Sequence, residues 1–403
     1  MKILSIIAQK PSDTGSGVYL KELINSFHGK GIDQEIICAT YEDDELNNTD
    51  KVRYDNVVFD TKSLPIKIAG MSDVMPYPTI KYSDLARDSY KLKLWKEAFL
   101  KEFEEVYKRF KPNIIICHHL YLLTALVVSN YYDSGFSKMK ATRIYGICHN
   151  TDLRQYRQTD LERDFIKSNI KKLDKVFAPS AEHAKIASEI YDIPFDDIKV
   201  IGIGYNDKIF YDMGLRDTID SYKKILYVGK VSKKKGVLSL IKAVNKLEDS
   251  DISLDIVGGA GNQEEYAEII VESKKSKSTI NFRGAMSQVD LSKEYNTHDT
   301  FVLPSFSEGI PIVPIEALAT GAKVVVSNLP GVKEFYQSHI SGAKMCFVDL
   351  PKLSNVDDAS SEELDLYEDR LSKALKDCIE DKKRYKVKVK DISWENIATS
   401  ILN

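Results

Sequence analysis

Short β-branched runs alternate with longer amphipathic stretches along almost the whole chain, and that alternation leaves few folds open. Strands covered on both faces by crossover helices read as continuous apolar runs, so the pattern is that of βαβ units closing parallel sheets. The first series of strand runs is Lys2 to Ala8, Gln34 to Thr40, Asn56 to Asp60, Asn113 to His118, Arg143 to Cys148 and Lys175 to Ala178. A second series opens at Lys224 with KILYVGK and continues through ISLDIVGG, INFRGA, DTFVLPS, KVVVSN and KMCFVDL. The chain has 403 residues, and a single core serves roughly 100 to 200. Two doubly wound α/β domains are therefore expected, residues 1–203 completed by a crossover helix at 391–403, and residues 204–390. The joint falls near KVIGIGYNDKIF, Lys199 to Phe210, where a strand runs into a Gly-rich turn.

Two segments of the first half break the rhythm. Between Lys62 and Ser83 prolines and a glycine interrupt any regular element, which predicts a long surface loop. From Leu85 to Phe110 the spacing of Leu92, Trp95, Phe99, Phe103 and Phe110 predicts one helix with an apolar stripe packed on the core. The formal net charge of -3 argues against a nucleic-acid partner. Basic residues nevertheless crowd Arg154 to Lys175 and Lys382 to Lys390. They read as solvated helix faces, with an anionic substrate or a membrane surface as the competing reading. Five cysteines, odd in number and far apart in sequence, suggest neither a disulfide framework nor a zinc site. Met1 to Ala8 runs straight into a strand without a signal-peptide region, and no apolar stretch approaches the ~18 residues of a membrane span. A cytoplasmic protein is expected, at most peripheral on the inner face of a membrane.

Several constellations carry chemistry. Gly15 and Gly17 lie between the first strand and a helix expected from about Val18, where close backbone approach and free amides suit an anion. In YVGKVSKKKGV, Lys230 and Lys235 flank a strand-to-helix turn ending at Gly236, so two ammonium groups point into the crevice where parallel sheets bind ligands. They suit a diphosphate, whereas Lys233 and Lys234 read as solvated. LPSFSEGIPIVPIEALATG, Leu303 to Gly321, is the most specific stretch. It places Glu308 on a loop and Glu316 early in a helix, with the amides of Gly309, Ile310 and Ile312 open to phosphate. His149 follows one strand end and His118 another, both facing the ligand edge of a doubly wound sheet; Asp152 joins His118 as a secondary candidate. The one Asp-x-Asp spacing, Asp249 and Asp251, falls at the amino end of a strand, away from that edge. No metal site is therefore expected.

Taken together these residues resemble the large glycosyltransferase family four, the glycosyl transferases group 1, over essentially the whole length. The likeness is strongest from ILYVGKVSKKKGV through VVVSNLPGVKEF. It implies a GT-B fold: two doubly wound Rossmann-like domains facing an interdomain cleft, with the closing helix DISWENIATSILN crossing back onto the first. It implies that the Gly15 to Gly17 turn closes over the donor and that His149 contacts the transferred sugar. Lys230 and Lys235 would hold the diphosphate, Glu308 the donor sugar and Glu316 the ribose, while Val257, Gly258 and Arg283 line the nucleotide pocket. The family has an arginine where Lys230 stands, so the bidentate fork is lost while the charge is kept.

The resemblance implies a retaining, metal-independent transferase that uses a UDP- or GDP-sugar as co-substrate and requires no further cofactor. Partners would be a sugar, lipid-linked or protein acceptor, selected by loops such as Pro65 to Asp84, in the making of a cell-surface glycan, glycolipid or other glycoconjugate. Two alternatives stay open: a GT-B nucleotide-sugar epimerase or phosphorylase, and a non-catalytic nucleotide-sugar-binding subunit of a transferase complex.

Overall fold

The computed structural model describes residues 1–11, 14–72, 75–139, 141–217, 223–260, 262–308, 310–352, 359–389 and 391–403. The chain divides into two compact units, Met1–Ile203 with Trp394–Asn403, and Gly204–Ser393.

In the first unit the strands are β1 (Lys2–Ile6), β2 (Asp33–Thr40), β3 (Val52–Val58), the two-residue β4 (Ala69–Gly70) and β5 (Ile80–Lys81), β6 (Ile114–His118), β7 (Arg143–Ile147), β8 (Lys175–Ala178) and β9 (Ile198–Val200). Seven form one all-parallel sheet in the order β3-β2-β1-β6-β7-β8-β9. Its strand order reverses between β1 and β6, the place where the two flanking crossovers diverge and a crevice opens. The second unit contains β10 (Lys224–Val228), β11 (Ser253–Val257), β12 (Thr279–Gly284), β13 (Thr300–Leu303), β14 (Lys323–Ser327), β15 (Ile340–Ser341), β16 (Met345–Val348) and β17 (Lys388–Val389). Its parallel sheet runs β12-β11-β10-β13-β14-β16 and reverses between β10 and β13. The expected pair of doubly wound sheets is present. The closing helix, Trp394–Leu402, belongs to the first unit, where Trp394 packs edge-on against Tyr19 at 4.8 Å and Lys199 Nζ donates to the Ser400 carbonyl at 2.9 Å.

Three local expectations are corrected. The Lys62 to Ser83 segment is not a surface loop: Leu64, Ile66, Ile68 and Met71 are buried in the core, and β4 pairs with β5. Its prolines stop regular structure, yet its apolar residues still gain ~25 cal/mol per Å² on leaving water. Asp73 and Val74 lie outside the described residues. The helix expected from Leu85 to Phe110 is two, Tyr82–Arg87 and Ser89–Phe110, because the Asp88 carboxylate accepts the Lys91 amide at 3.0 Å and caps the second. The first long helix begins at Gly15 rather than Val18, since the Thr14 hydroxyl accepts the Gly17 amide at 3.1 Å and draws both glycines into the first turn.

Several members of the basic runs are paired within the fold. Lys167 and Lys171 share Asp192 at 2.7 and 3.1 Å, and Arg163 binds Asp160 at 3.0 Å. Among the described residues no helix is long and apolar enough to cross a membrane. All five cysteines are thiols, but Cys346 and Cys378, remote in sequence, come within 3.6 Å of each other.

At the amino ends of β13 and β14 the second unit is held by a buried ion cluster. Lys323 Nζ binds Asp299 at 2.6 Å and donates to the Cys378 carbonyl at 2.8 Å and to that of Asp381. Arg384 takes the other Asp299 oxygen and donates to the Arg216 carbonyl, while Arg216 donates to the carbonyls of His298, Thr320 and Tyr295. Removing one member of a buried pair strands the other's charge, which typically costs about 3 to 5 kcal/mol. Asp299→Ala is expected to lose that much in a urea unfolding titration of the C-terminal unit; a loss under about 1 kcal/mol would contradict the cluster's structural role.

Candidate active site

In the second unit the residues singled out by sequence converge on the carboxyl ends of the strands at the reversal. After β10 the chain turns through Gly229 to Gly236 and enters the helix Val237–Asn245. Gly236 adopts φ 71°, and a Cβ there would lie 2.0 Å from the Pro304 carbonyl oxygen, just beyond β13. Only glycine lets the two turns touch, and the same holds one strand over, where a Cβ on Gly258 would lie 1.9 Å from the Gly229 carbonyl oxygen. This contact brings Lys235 from the β10 turn to Glu308 beyond β13, Nζ to Oε1 at 2.5 Å.

Lys230 stands on the same turn, which Tyr227 braces by donating its hydroxyl to the Lys230 carbonyl at 2.8 Å. Although Lys230 is solvent-accessible as a residue, partial desolvation of its ammonium, and then the Lys235 charge, hold its pKa below the ordinary lysine value. Lys235 beside Glu308, with Lys230 near enough to feel its charge, forms a site whose like-charge repulsion an added anion would relieve. The Glu308 charge reaches further, helping burial to raise the Tyr227 and Tyr336 phenols well above their ordinary value.

The other donor-side candidates sort into neighbours of that point and supports behind it. Val257 and Gly258 end β11 beside Gly229, and the Gly258 amide donates to the Gly284 carbonyl at 2.9 Å, aligning the ends of β11 and β12. Arg283, on β12, is engaged by Glu294 at 3.2 Å. Glu316 lies early in a helix, as expected. It is buried in the helix Val313–Ala319 and accepts the Tyr295 hydroxyl at 3.1 Å. Ile312 precedes that helix with no side chain capping its amides, Ile310 is buried, and Gly309 lies outside the described residues.

Asp249 and Asp251 are paired with Lys223 at 2.8 and 3.2 Å. Among the described residues Asp255, Glu294 and His298 bring one donor atom each within 4.8 Å of one another. Those atoms are already engaged: Asp255 by Asn281 at 2.7 Å and His298 at 2.8 Å, Glu294 by Arg283.

The first unit presents a different surface at its own reversal. Beyond β1, Ser16 Oγ donates to Gln9 Oε1 at 3.1 Å, and a Cβ on Gly15 would meet open space. Beyond β6 and β7 lie His118, His119 and His149, with His118 Nδ1 and His149 Nε2 3.1 Å apart. Asp152 is fully buried and acts as a clamp on both turns, accepting the Leu120 amide at 2.7 Å and those of His149 and Leu153 at 3.1 Å. Burial raises its pKa, against the pull of those amides.

Sequence reasoning placed His119 beside His118 at a strand end without giving it a role, and it missed Tyr19. Tyr19 meets His149 edge-on at 5.1 Å, and His119 lies 4.8 Å from it. His119 and Asn150 both hold positive φ, 73° and 66°, strain of the kind that clusters where a strand end is bent to present a side chain. Adjacent histidines at the end of a strand were the signal for His119; nothing local marks Tyr19.

These histidines are held neutral. Burial pushes His118 and His119 down to about 3, and His149 well below its ordinary value. An unfolded histidine titrates near 6.5, so between there and about 3 the unfolded chain takes up protons the folded chain refuses. Stability contributed by their neutral burial is complete above pH 6.5 and falls as the pH is lowered, by up to about 1.4 kcal/mol per pH unit for each histidine. His119→Asn keeps a residue tolerant of positive φ and removes one titrating group. Urea titrations between pH 4.5 and 6 are expected to show a slope shallower than wild type by up to about 1.4 kcal/mol per pH unit, with the two alike above pH 6.5; equal slopes below pH 6 would contradict the neutral burial.

Comparison with known proteins gives concordant matches. Residues 217–385 match the model described as glycosyl transferases group 1, and residues 14–208 the model described as Glycosyltransferase Family 4. An uncharacterized glycosyltransferase of Methanocaldococcus jannaschii is 32% identical over 164 residues, 38% of this chain and 42% of that protein. A lipopolysaccharide 1,2-N-acetylglucosaminetransferase of Salmonella typhimurium is 31% identical over 127 residues, 29% of this chain and 33% of that one. The chain thus spans less than half the length of these curated relatives. Among solved structures, sucrose-phosphate synthase from Thermosynechococcus elongatus superposes with a TM-score of 0.65 at 17% identity, covering 100% of this chain and 97% of that one. Anabaena HepE in complex with UDP and glucose gives 0.60 at 13%, covering 100% and 94%.

Proposed function

Since the chain belongs to the GT-B glycosyltransferases, with both halves matching their family models, we propose that it transfers a sugar from a nucleotide diphosphate sugar to an acceptor, retaining the anomeric configuration. One observation carries the reading: Lys235 meets Glu308 at the carboxyl ends of β10 and β13, with Lys230 on the same turn and within reach of the Lys235 charge. Charge develops on the leaving diphosphate as the anomeric bond breaks. Groups already in place at that point stabilise the transition state without reorganising, by about 2.7 to 4 kcal/mol for one well-placed donor.

The division of labour follows from the chemistry of each unit. The second unit binds the donor: Lys230 and Lys235 take the diphosphate, and Glu308, released from Lys235, takes hydroxyls of the sugar. Glu316, oriented by Tyr295, serves the ribose, and Val257, Gly258 and Arg283 flank the base. The first unit binds the acceptor, with neutral His149 contacting the transferred sugar. Retention follows if the acceptor attacks from the face the diphosphate leaves, which then takes the acceptor's proton. HepE was solved with UDP and glucose, and one relative acts on lipopolysaccharide, which supports a UDP-sugar donor and a glycan acceptor at the cell surface.

Thermal stabilisation by a panel of uridine, guanosine and adenosine diphosphate sugars tests the reading. A ligand at 100 times its Kd adds about 2.7 kcal/mol, several degrees of Tm. Stabilisation by one base is the expected result, and no response to any member would contradict a donor site. With the responding donor, Lys235→Ala is expected to lower turnover about 100- to 1000-fold with an unchanged Tm in the absence of ligand, because its ion pair is partly solvated; wild-type turnover would contradict the electrostatic role.

A further inference from the structure

The histidine group of the first unit contains a hydrogen bond with a chemical consequence for the ligand. The His118 and His149 rings are inclined by only 17° with centroids 5.3 Å apart, while Nδ1 of one lies 3.1 Å from Nε2 of the other. That combination sets the rings edge to edge, with the shared proton near both ring planes, where a nitrogen lone pair points. Both rings are neutral, so each carries one proton and one lone pair.

Two arrangements satisfy this contact. His149 can donate from Nε2 to His118 Nδ1, which puts the remaining His118 proton on Nε2. That atom is buried and has no partner among the described residues, so an N–H would be stranded there. Alternatively His118 donates from Nδ1, leaving only a bare lone pair on its buried Nε2, and His149 then carries its own proton on Nδ1. A stranded N–H is the rarer arrangement in folded proteins, as carbonyls left without a partner are less rare than amides. With Nε2 occupied, Nδ1 is the nitrogen that His149, largely but not wholly buried, has left for a ligand.

Resting on the transferase reading for the identity of the ligand, we propose that His118 is a positioning residue that fixes His149 in its Nδ1–H tautomer, so that His149 offers an N–H donor to a hydroxyl oxygen of the sugar it binds. The rest of the group serves the same end. The Asp152 clamp on the His149 amide fixes where the ring starts, and the Tyr19 edge, backed by Trp394 of the closing helix, limits its rotation. A neutral N–H donor suits a sugar hydroxyl; a charged imidazolium would favour an anion instead.

Ring 15N–1H correlation spectra of the full chain at pH 7.5 without ligand test this directly. The expected wild-type result is His149 protonated on Nδ1. His118→Asn, whose amide nitrogen lies where Nδ1 lies, should keep that signal. His118→Leu removes the donor and should move His149 toward the Nε2–H form that a free imidazole favours. A wild-type proton on Nε2 would overturn the proposal, and so would a His149 tautomer unchanged in His118→Leu. Should the leucine variant not fold, the wild-type and asparagine spectra still decide.

Binding of the responding nucleotide sugar and of its parent nucleoside diphosphate supplies a second arm. His118→Leu is expected to lose about tenfold on the sugar nucleotide alone, and His118→Asn to recover it. Equal losses on both ligands would assign His118 a merely structural role and overturn the proposal. Failure of wild type to bind any nucleotide sugar would count against the transferase reading, while the spectra would still report the tautomer.

Discussion

Backbone contact between two strand-to-helix turns governs what the second unit can do. Gly236 has to lie against the Pro304 carbonyl for Lys235 to reach Glu308, and a side chain at either Gly236 or Gly258 would force the strand ends apart. The resulting ion pair is partly solvated, with side-chain exposures of 26% and 19%, so it adds little to stability and can open to a ligand. At the other end of the same strands, Asp299 and Lys323 form a pair only 2% and 1% exposed, which cannot open without stranding a charge. The amino end of β13 therefore serves the fold, and its carboxyl end keeps its charges available.

The first unit solves a different problem with the same sheet topology. The turns beyond β6 and β7 carry neutral histidines, and a buried carboxylate, Asp152, gives its acceptor capacity to backbone amides. On the proposed reading, such a surface would hold hydroxyls by direction, whereas the second unit would hold phosphate by charge. A transferase that must hold a charged leaving group and a polyhydroxy acceptor needs both kinds of surface, and each unit's chemistry fits one of them.

Much of this was legible in the sequence. Continuous apolar strand runs identified two doubly wound sheets, because burial on both faces leaves no alternation to confuse. Lys230, Lys235 and Glu308 could be placed near one another because strand ends at a reversal of order face a common crevice. What stayed hidden depended on three-dimensional partners. The segment around Ile66, Ile68 and Met71 is rich in turn residues, so nothing local announces its burial. Asp88 divides a helix through a cap that only the Lys91 amide reveals. Glu316 looks like an exposed carboxylate until Tyr295 is found beside it, and Tyr19 joins the histidines only through packing with Trp394. The approach of Cys346 to Cys378 likewise depends on how the helix Ser361–Glu380 lies against β16.

The central claim is that the second unit recognises a diphosphate through Lys230 and Lys235. The most direct measurement is a calorimetric comparison of nucleoside, nucleoside monophosphate and nucleoside diphosphate carrying the base the chain prefers. Affinity should climb by about tenfold or more when the second phosphate is added and fall toward the monophosphate value as salt is raised, since exposed ammonium groups are screened. Equal affinities for monophosphate and diphosphate, insensitive to salt, would contradict it.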